Sequence, residues 1–228
     1  DLIAQVRSGG DATLLELTER FDGVRLDALA VPAHELAAAV ERIPVPLRDA
    51  LVAAADSIAA YHRTQLHPEV TFTDGGATIR SYDVPVARAG CYVPGGLAPL
   101  ASTLLITAVP AKVAGVEQVV VCVPPSKEAG AVDDVILAAA AIAGVDELYA
   151  VGGAQAIAAM AYGTESIRPV DVICGPGNKY VALAKREVAG TVGIAAAFAG
   201  PSEVVVVADA SVDPRFAAVD VIVQAEHG

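Results

Sequence analysis

The sequence predicts an α/β fold with a mainly parallel sheet, and three observations predict it. From about residue 88 onward, short apolar runs alternate with segments of helical length. The runs, such as Gln118-Val119-Val120-Val121-Cys122-Val123, are apolar at consecutive positions rather than at every second one. That is the pattern of strands covered on both faces, as in a parallel sheet with helices on either side. Most of the helical segments close on a glycine, the usual stop signal.

Residues 1 to 65 read as helical. Asp11 is placed to cap a helix through Leu14, Leu15, Leu17 and Phe21, which Asp22-Gly23 ends. A second helix runs from about Ala33 to Ile43. A third follows Pro46, with Leu51, Ala55, Ile58 and Ala59 on one face and Arg63 near its end. Val70 to Thr73, the turn Asp74-Gly75-Gly76, and Thr78 to Arg80 predict a hairpin.

The alternating part begins with a strand over Gly90 to Val93, ending at Pro94-Gly95-Gly96. Ser102 opens a helical segment that Pro110 is expected to interrupt. The apolar strand Gln118 to Val123 follows, then a helix from Val132 to Ala143, stopped by Gly144. Glu147 to Val151 is a strand ending at Gly152-Gly153, and Gln155 to Tyr162 a helix stopped by Gly163. Asp171 to Cys174 is a strand ending at Gly175-Pro176-Gly177, and Asn178 to Ala189 a helix stopped by Gly190. A strand over Glu203 to Val207 and a helix from Pro214 to Glu226, capped by Asp213, complete the series.

Composition narrows the function classes. The chain of 228 residues carries a net charge of −12, is 54% hydrophobic and only 4% aromatic. An acidic chain without a Lys/Arg cluster is a poor partner for nucleic acid or an anionic membrane. No apolar run approaches the roughly 18 residues of a membrane span, and no basic-then-apolar leader opens the sequence. Cys91, Cys122 and Cys174 show no metal or disulfide spacing and read as small buried residues of a reducing compartment, by default the cytoplasm.

Ligands of an open parallel sheet sit beyond the carboxyl ends of its strands. Turns there at Pro94-Gly95-Gly96, Gly152-Gly153 and Gly175-Pro176-Gly177 allow a nucleotide or phosphate to approach backbone. The same glycines are equally expected for purely geometric reasons. No G-x-G-x-x-G follows any strand, so the usual dinucleotide fingerprint is absent. Gln224 and His227 share one face of the last helix and could both coordinate a divalent metal. A histidine there also serves as a simple partner of the helix dipole, and two ligands are too few for a catalytic zinc. His34, His62 and His67 are expected to be solvated, and so are Lys112 and Lys179.

Taken together, the strings carry more. Cys91-Tyr92-Val93-Pro94-Gly95-Gly96 precedes Ala111-Lys112-Val113-Ala114-Gly115. Then come Val151-Gly152-Gly153-Ala154-Gln155-Ala156, Gly175-Pro176-Gly177-Asn178-Lys179-Tyr180, Ala199-Gly200-Pro201-Ser202-Glu203 and Gln224-Ala225-Glu226-His227-Gly228. This ordered set, spread over essentially the whole chain, resembles the histidinol dehydrogenase family.

The resemblance implies zinc- and NAD-dependent oxidation of L-histidinol to L-histidine through the aldehyde. Two hydrides pass to two NAD molecules, in a homodimer whose active sites use both subunits. It implies that Gln224 and His227 are zinc ligands that also touch substrate, and that Ser202 contacts substrate. Tyr92, Gln155 and Asn178 would contact NAD. It also implies two incomplete Rossmann-like α/β domains, one inserted in the other. The insertion would span 91–200, and residues 1–90 with 201–228 would form the first domain.

The family's general-base Glu-His pair and its remaining zinc ligands, an Asp and a His, lie beyond the Gln-Ala-Glu-His-Gly motif. No catalytic acid or base is therefore expected within these 228 residues, and this stretch alone is expected to be inactive. Two departures from the family pattern, Ala195-Ala196-Ala197 and Val223, leave room for a relative acting on another small alcohol. A non-catalytic nucleotide-binding chain is the remaining alternative.

Overall fold

The computed structural model describes residues 2–95, 99–195 and 203–223. The chain divides into two compact units, Asp1–Ala197 and Phe198–Gly228.

The first unit opens with helix α1 (Leu2–Asp22), strand β1 (Ala30–Val31), helices α2 (Ala33–Arg42) and α3 (Val45–Arg63), and the hairpin β2 (Val70–Asp74) and β3 (Ala77–Ser81). It continues through β4 (Arg88–Tyr92), α4 (Ala101–Val113), β5 (Gln118–Val123), α5 (Asp134–Ala143), β6 (Glu147–Ala150), α6 (Gly153–Tyr162), β7 (Val172–Cys174), α7 (Lys179–Val188) and β8 (Gly193–Ile194).

Six strands form one sheet in the order β1-β6-β5-β4-β7-β8. All neighbours are parallel except the edge pair β1 and β6. The predicted α/β class with a mostly parallel sheet is therefore what forms. The chain winds outward from β4 through β5 to β6, then returns to the other side of β4 with β7. That reversal creates a topological switch point between the carboxyl ends of β4 and β7.

Successive side chains explain why the strands are apolar throughout. Cys91, Val119, Val121, Val123, Leu148 and Ala150 pack with α2, α3, α4 and α5 on one face. Tyr92, Val120, Cys122, Tyr149 and Val151 pack with α1, α6 and α7 on the other. Alanines dominate the helix faces, Ala138 to Ala140 in α5 and Ala156, Ala158 and Ala159 in α6, all fully buried. Small side chains let helix and sheet approach closely at high packing density.

An ion-pair cluster closes the amino ends of the strands. Arg88, Gln118 and Glu147 are the first residues of β4, β5 and β6. Arg88 is 6% exposed, and its guanidinium donates to both Glu147 oxygens and, at 2.9 Å, to Gln118. Arg168 donates to the same two partners, at 3.1 Å each. The Arg88 hydrogen bonds hold the Glu147 carboxyl at about 2, below its ordinary 4.5, against the opposing cost of burial.

Three expectations need correction, and two short strands went unforeseen. A helix does begin beside Asp11, since α1 is two helices joined at a kink at Gly10 (φ 54°, ψ −140°), but the Asp11 side chain is not its cap. Its carboxylate instead accepts a hydrogen bond from Ser166, and its N–H donates to Glu165 Oε2 at 2.7 Å. Pro110 lies inside α4 without ending it; in the last turn it removes one helical hydrogen bond only. Residues 203–207 form no strand among the described residues, for a strand needs a neighbour's ladder. The two-residue strands β1 and β8 are too short to leave a periodic signal.

In the second unit, helix α8 (Pro214–Val223) starts as predicted. The Asp213 carboxylate accepts the Arg215 N–H at 2.9 Å. No helix among the described residues is long and apolar enough to cross a membrane.

Candidate functional site

The carboxyl ends of β4, β5, β6 and β7 gather the turns that the sequence marked. Tyr92 ends β4 and is 3% exposed. Its hydroxyl accepts the N–H of Gly153, the first residue of α6, at 2.9 Å. Burial pushes the phenol up to about 12, reinforcing the neutral form that a tyrosine already holds at neutral pH. Gln155 lies two residues into α6 and is 2% exposed. The phenol thus ties the end of β4 to the first turn of α6, which carries Gln155.

Asn178 stands on the other side of the switch point as the N-cap of α7. Its side-chain oxygen accepts from Tyr180 N at 3.0 Å and Val181 N at 3.2 Å. It is exposed, and the positive end of α7 faces the same side of the sheet, a setting that favours an anionic group. Asn178→Ala is expected to cost about 1 kcal/mol, the usual loss for an N-cap. Urea unfolding checks this.

Close backbone packing joins the two sides. At Gly175 (φ 102°) a Cβ would lie 2.0 Å from the Tyr92 carbonyl oxygen. Pro124, just after β5, fills the space where Gly95 and Gly152 would carry side chains, each position 2.6 Å from the ring. Packing alone therefore requires these glycines, so their presence does not argue for a ligand. What marks this end of the sheet is the switch point beside β4 and the exposed amino end of α7 at Asn178.

Asp22 ends the first predicted helix, and its string Arg20-Phe21-Asp22-Gly23 also fits the family resemblance. Its Oδ2 is buried without a hydrogen-bond partner among the described residues. Burial raises its carboxyl from 3.8 to about 6. Its charge contributes to the upward shift of Tyr92. An unpartnered buried oxygen on a displaced carboxyl marks a candidate functional position, and the sequence does not reveal the missing partner.

The cysteines are free, with Cys91 and Cys122 buried and Cys174 half-buried. Cys91 and Cys174 are register partners on β4 and β7, their sulfurs 3.6 Å apart. Lys112 pairs with Asp146 at 2.5 Å. It lines a cleft of about 490 Å³ among α3, α4 and α5 with Asp56 and Arg63. That cleft sits toward the amino ends of the strands, away from the switch point, and has no convergent polar cluster. His34 and His67 are exposed, as expected. Ser202, Gln224 and His227 lie outside the described residues. Among the described residues, no group of three or more His, Cys, Asp or Glu side chains could hold a metal ion.

Comparison with known proteins matches this arrangement to one family. The family model for histidinol dehydrogenase matches residues 1–228. The chain is 49% identical over 231 residues to the histidinol dehydrogenase of Pseudomonas aeruginosa, covering 100% of this chain and 52% of that protein. It is 53% identical over 228 residues to that of Parasynechococcus marenigrum, covering 99% and 52%. The crystal structure of histidinol dehydrogenase from Elizabethkingia anophelis superposes with a TM-score of 0.88 at 38% identity, covering 100% of this chain and 52% of that one. The chain thus spans about half the length of the relatives it matches. On this evidence of sequence and fold, the chain belongs to the histidinol dehydrogenase family.

Proposed function

We propose that these residues form the nucleotide-binding part of an NAD-dependent dehydrogenase that oxidises L-histidinol to L-histidine through the aldehyde. What supports the reading is that Tyr92, Gln155 and Asn178 stand at or just past the carboxyl ends of β4, β6 and β7, on the two sides of the switch point. These are the positions that the family resemblance marks as NAD contacts, in a chain matched by that family along its whole length.

In this reading the α7 amino end and the Asn178 side chain receive the dinucleotide's anionic and polar groups. Tyr92, held neutral, donates a hydrogen bond while its oxygen keeps the start of α6 in place. Gln155, on the first turn of α6, is the third contact to the dinucleotide. Ser202 contacts substrate, and Gln224 and His227 supply two zinc ligands. Zinc, when bound, acts as a Lewis acid that holds and orients substrate without changing oxidation state. The remaining ligands and the general base come from residues beyond this chain. The reading also takes the protein as a cytoplasmic homodimer, with 91–200 inserted as a second α/β domain between 1–90 and 201–228.

The full-length protein, supplied with L-histidinol and NAD, is expected to form two NADH per histidinol. Chelation is expected to abolish this and added zinc to restore it. A folded full-length protein that forms no NADH from histidinol, but does from another alcohol, would replace the substrate while keeping the cofactor.

A further inference from the structure

In a doubly wound dinucleotide site, an acidic side chain at the end of the second strand holds the adenosine ribose through its 2′-hydroxyl. Here β5 follows β4 outward from the switch point and ends in Val123-Pro124-Pro125-Ser126. No acid stands there. The chain nevertheless brings a carboxylate to this end of the sheet from elsewhere.

β1 runs antiparallel to β6, with Ala30 opposite Tyr149 and the Leu29 carbonyl accepting from Ala150. The segment from Asp22 to Leu29 therefore lies beyond the carboxyl end of β6. Gly23 packs against the Lys127 stem just past β5, where an added Cβ would meet Lys127 Cε at 3.4 Å. The charge of Asp22 is felt by the Tyr92 phenol at the end of β4. Asp22 thus stands among the turns after β4, β5 and β6.

The placement is costly to the fold. Asp22 is the last residue of α1, where the helix dipole disfavours negative charge. Its Oδ2 is buried with no donor among the described residues. A ligand hydroxyl that displaced the atoms now covering Oδ2 would supply the donor this oxygen lacks. We propose that Asp22 accepts the adenosine-ribose 2′-hydroxyl of the dinucleotide and thereby selects NAD over its 2′-phosphorylated form. The proposal rests on the nucleotide-binding reading above and assigns this discrimination to α1 rather than to a strand end.

The experiment is a binding cycle on the full-length protein, wild type and Asp22→Asn, with NAD, 2′-deoxy-NAD and NADP measured by calorimetry. Wild type is expected to bind NAD at least tenfold more tightly than 2′-deoxy-NAD, and NADP more weakly still. Asp22→Asn is expected to bind NAD and 2′-deoxy-NAD within about twofold of each other and to improve for NADP. Its melting temperature at neutral pH is expected to stay level or rise, since a buried charge is removed. A role confined to structure would lower the melting temperature and leave the discrimination intact. If the variant does not fold, the wild-type arm decides: equal affinity for NAD and 2′-deoxy-NAD overturns the proposal. So does a variant that weakens all three ligands alike. Wild type that binds none of the three overturns the nucleotide reading itself and this proposal with it.

Discussion

Gly175→Ala is expected to destabilise the full-length protein by about 4 kcal/mol. Two costs combine. Alanine at φ 102° is strained wherever it stands, and its Cβ would lie 2.0 Å from the Tyr92 carbonyl oxygen. That oxygen is backbone of β4, so relief requires moving a central strand. Gly190→Ala supplies the control. Its φ of 95° is similar, but nothing lies within 4 Å of the added atom, so strain alone applies, about 1–3 kcal/mol. Urea unfolding of both variants separates strain from contact. Equal costs would show that β4 and β7 can part without penalty, and that their close approach does not define the crevice.

Arg88→Met is expected to cost about 3–5 kcal/mol, because it leaves the partly buried Glu147 carboxylate without its main partner. The sign of the accompanying pH effect follows from Glu147. Its carboxyl lies near 2 in the fold and near 4.5 ordinarily. The folded state therefore binds fewer protons between those values, and the pair's stabilisation is fully present above pH 4.5. It fades as pH falls toward 2. Unfolding measured from pH 6 to pH 2.5 is expected to show a steep loss in wild type and a shallower one in Arg88→Met. Parallel curves would mean that Arg88 does not set the Glu147 proton affinity.

Much of this architecture is legible in the sequence because burial on both faces writes itself as a continuous apolar run. Gln118 to Val123 could be nothing other than an interior strand or helix segment, and its length and flanking turns settle which. The hairpin was equally clear, since Gly75 and Gly76 both adopt positive φ, 55° and 86°, as its turn demands. What escapes is whatever depends on partners far apart in the chain. The contact between Cys91 and Cys174 is set by which strand returns beside β4, and no local pattern encodes that order. The same holds for Arg88, Gln118 and Glu147, three polar residues that each look like an ordinary strand start.

At the site, Tyr92, Gln155 and Asn178 came from family resemblance, while spacing alone said only that turns gather at one end of the sheet. Asp22 was visible as a helix stop and as part of the family-like string Arg20-Phe21-Asp22-Gly23. Its unpartnered oxygen emerges only once α1 has docked.

That docking has a consequence for synthesis. The Asp11 N–H is bonded to Glu165, 154 residues away, and Ser166 reaches back to the Asp11 carboxylate. During translation the first helix is made early but cannot be fastened until residue 166 has left the ribosome. At ordinary elongation speeds that is a delay on the order of 10–30 s. Throughout it, Leu14, Leu17 and Val6, all buried in the finished fold, have no α6 to cover them. A nascent chain stalled before residue 150 is therefore expected to hold chaperones on its amino-terminal helix, and one stalled with α6 fully emerged to release them.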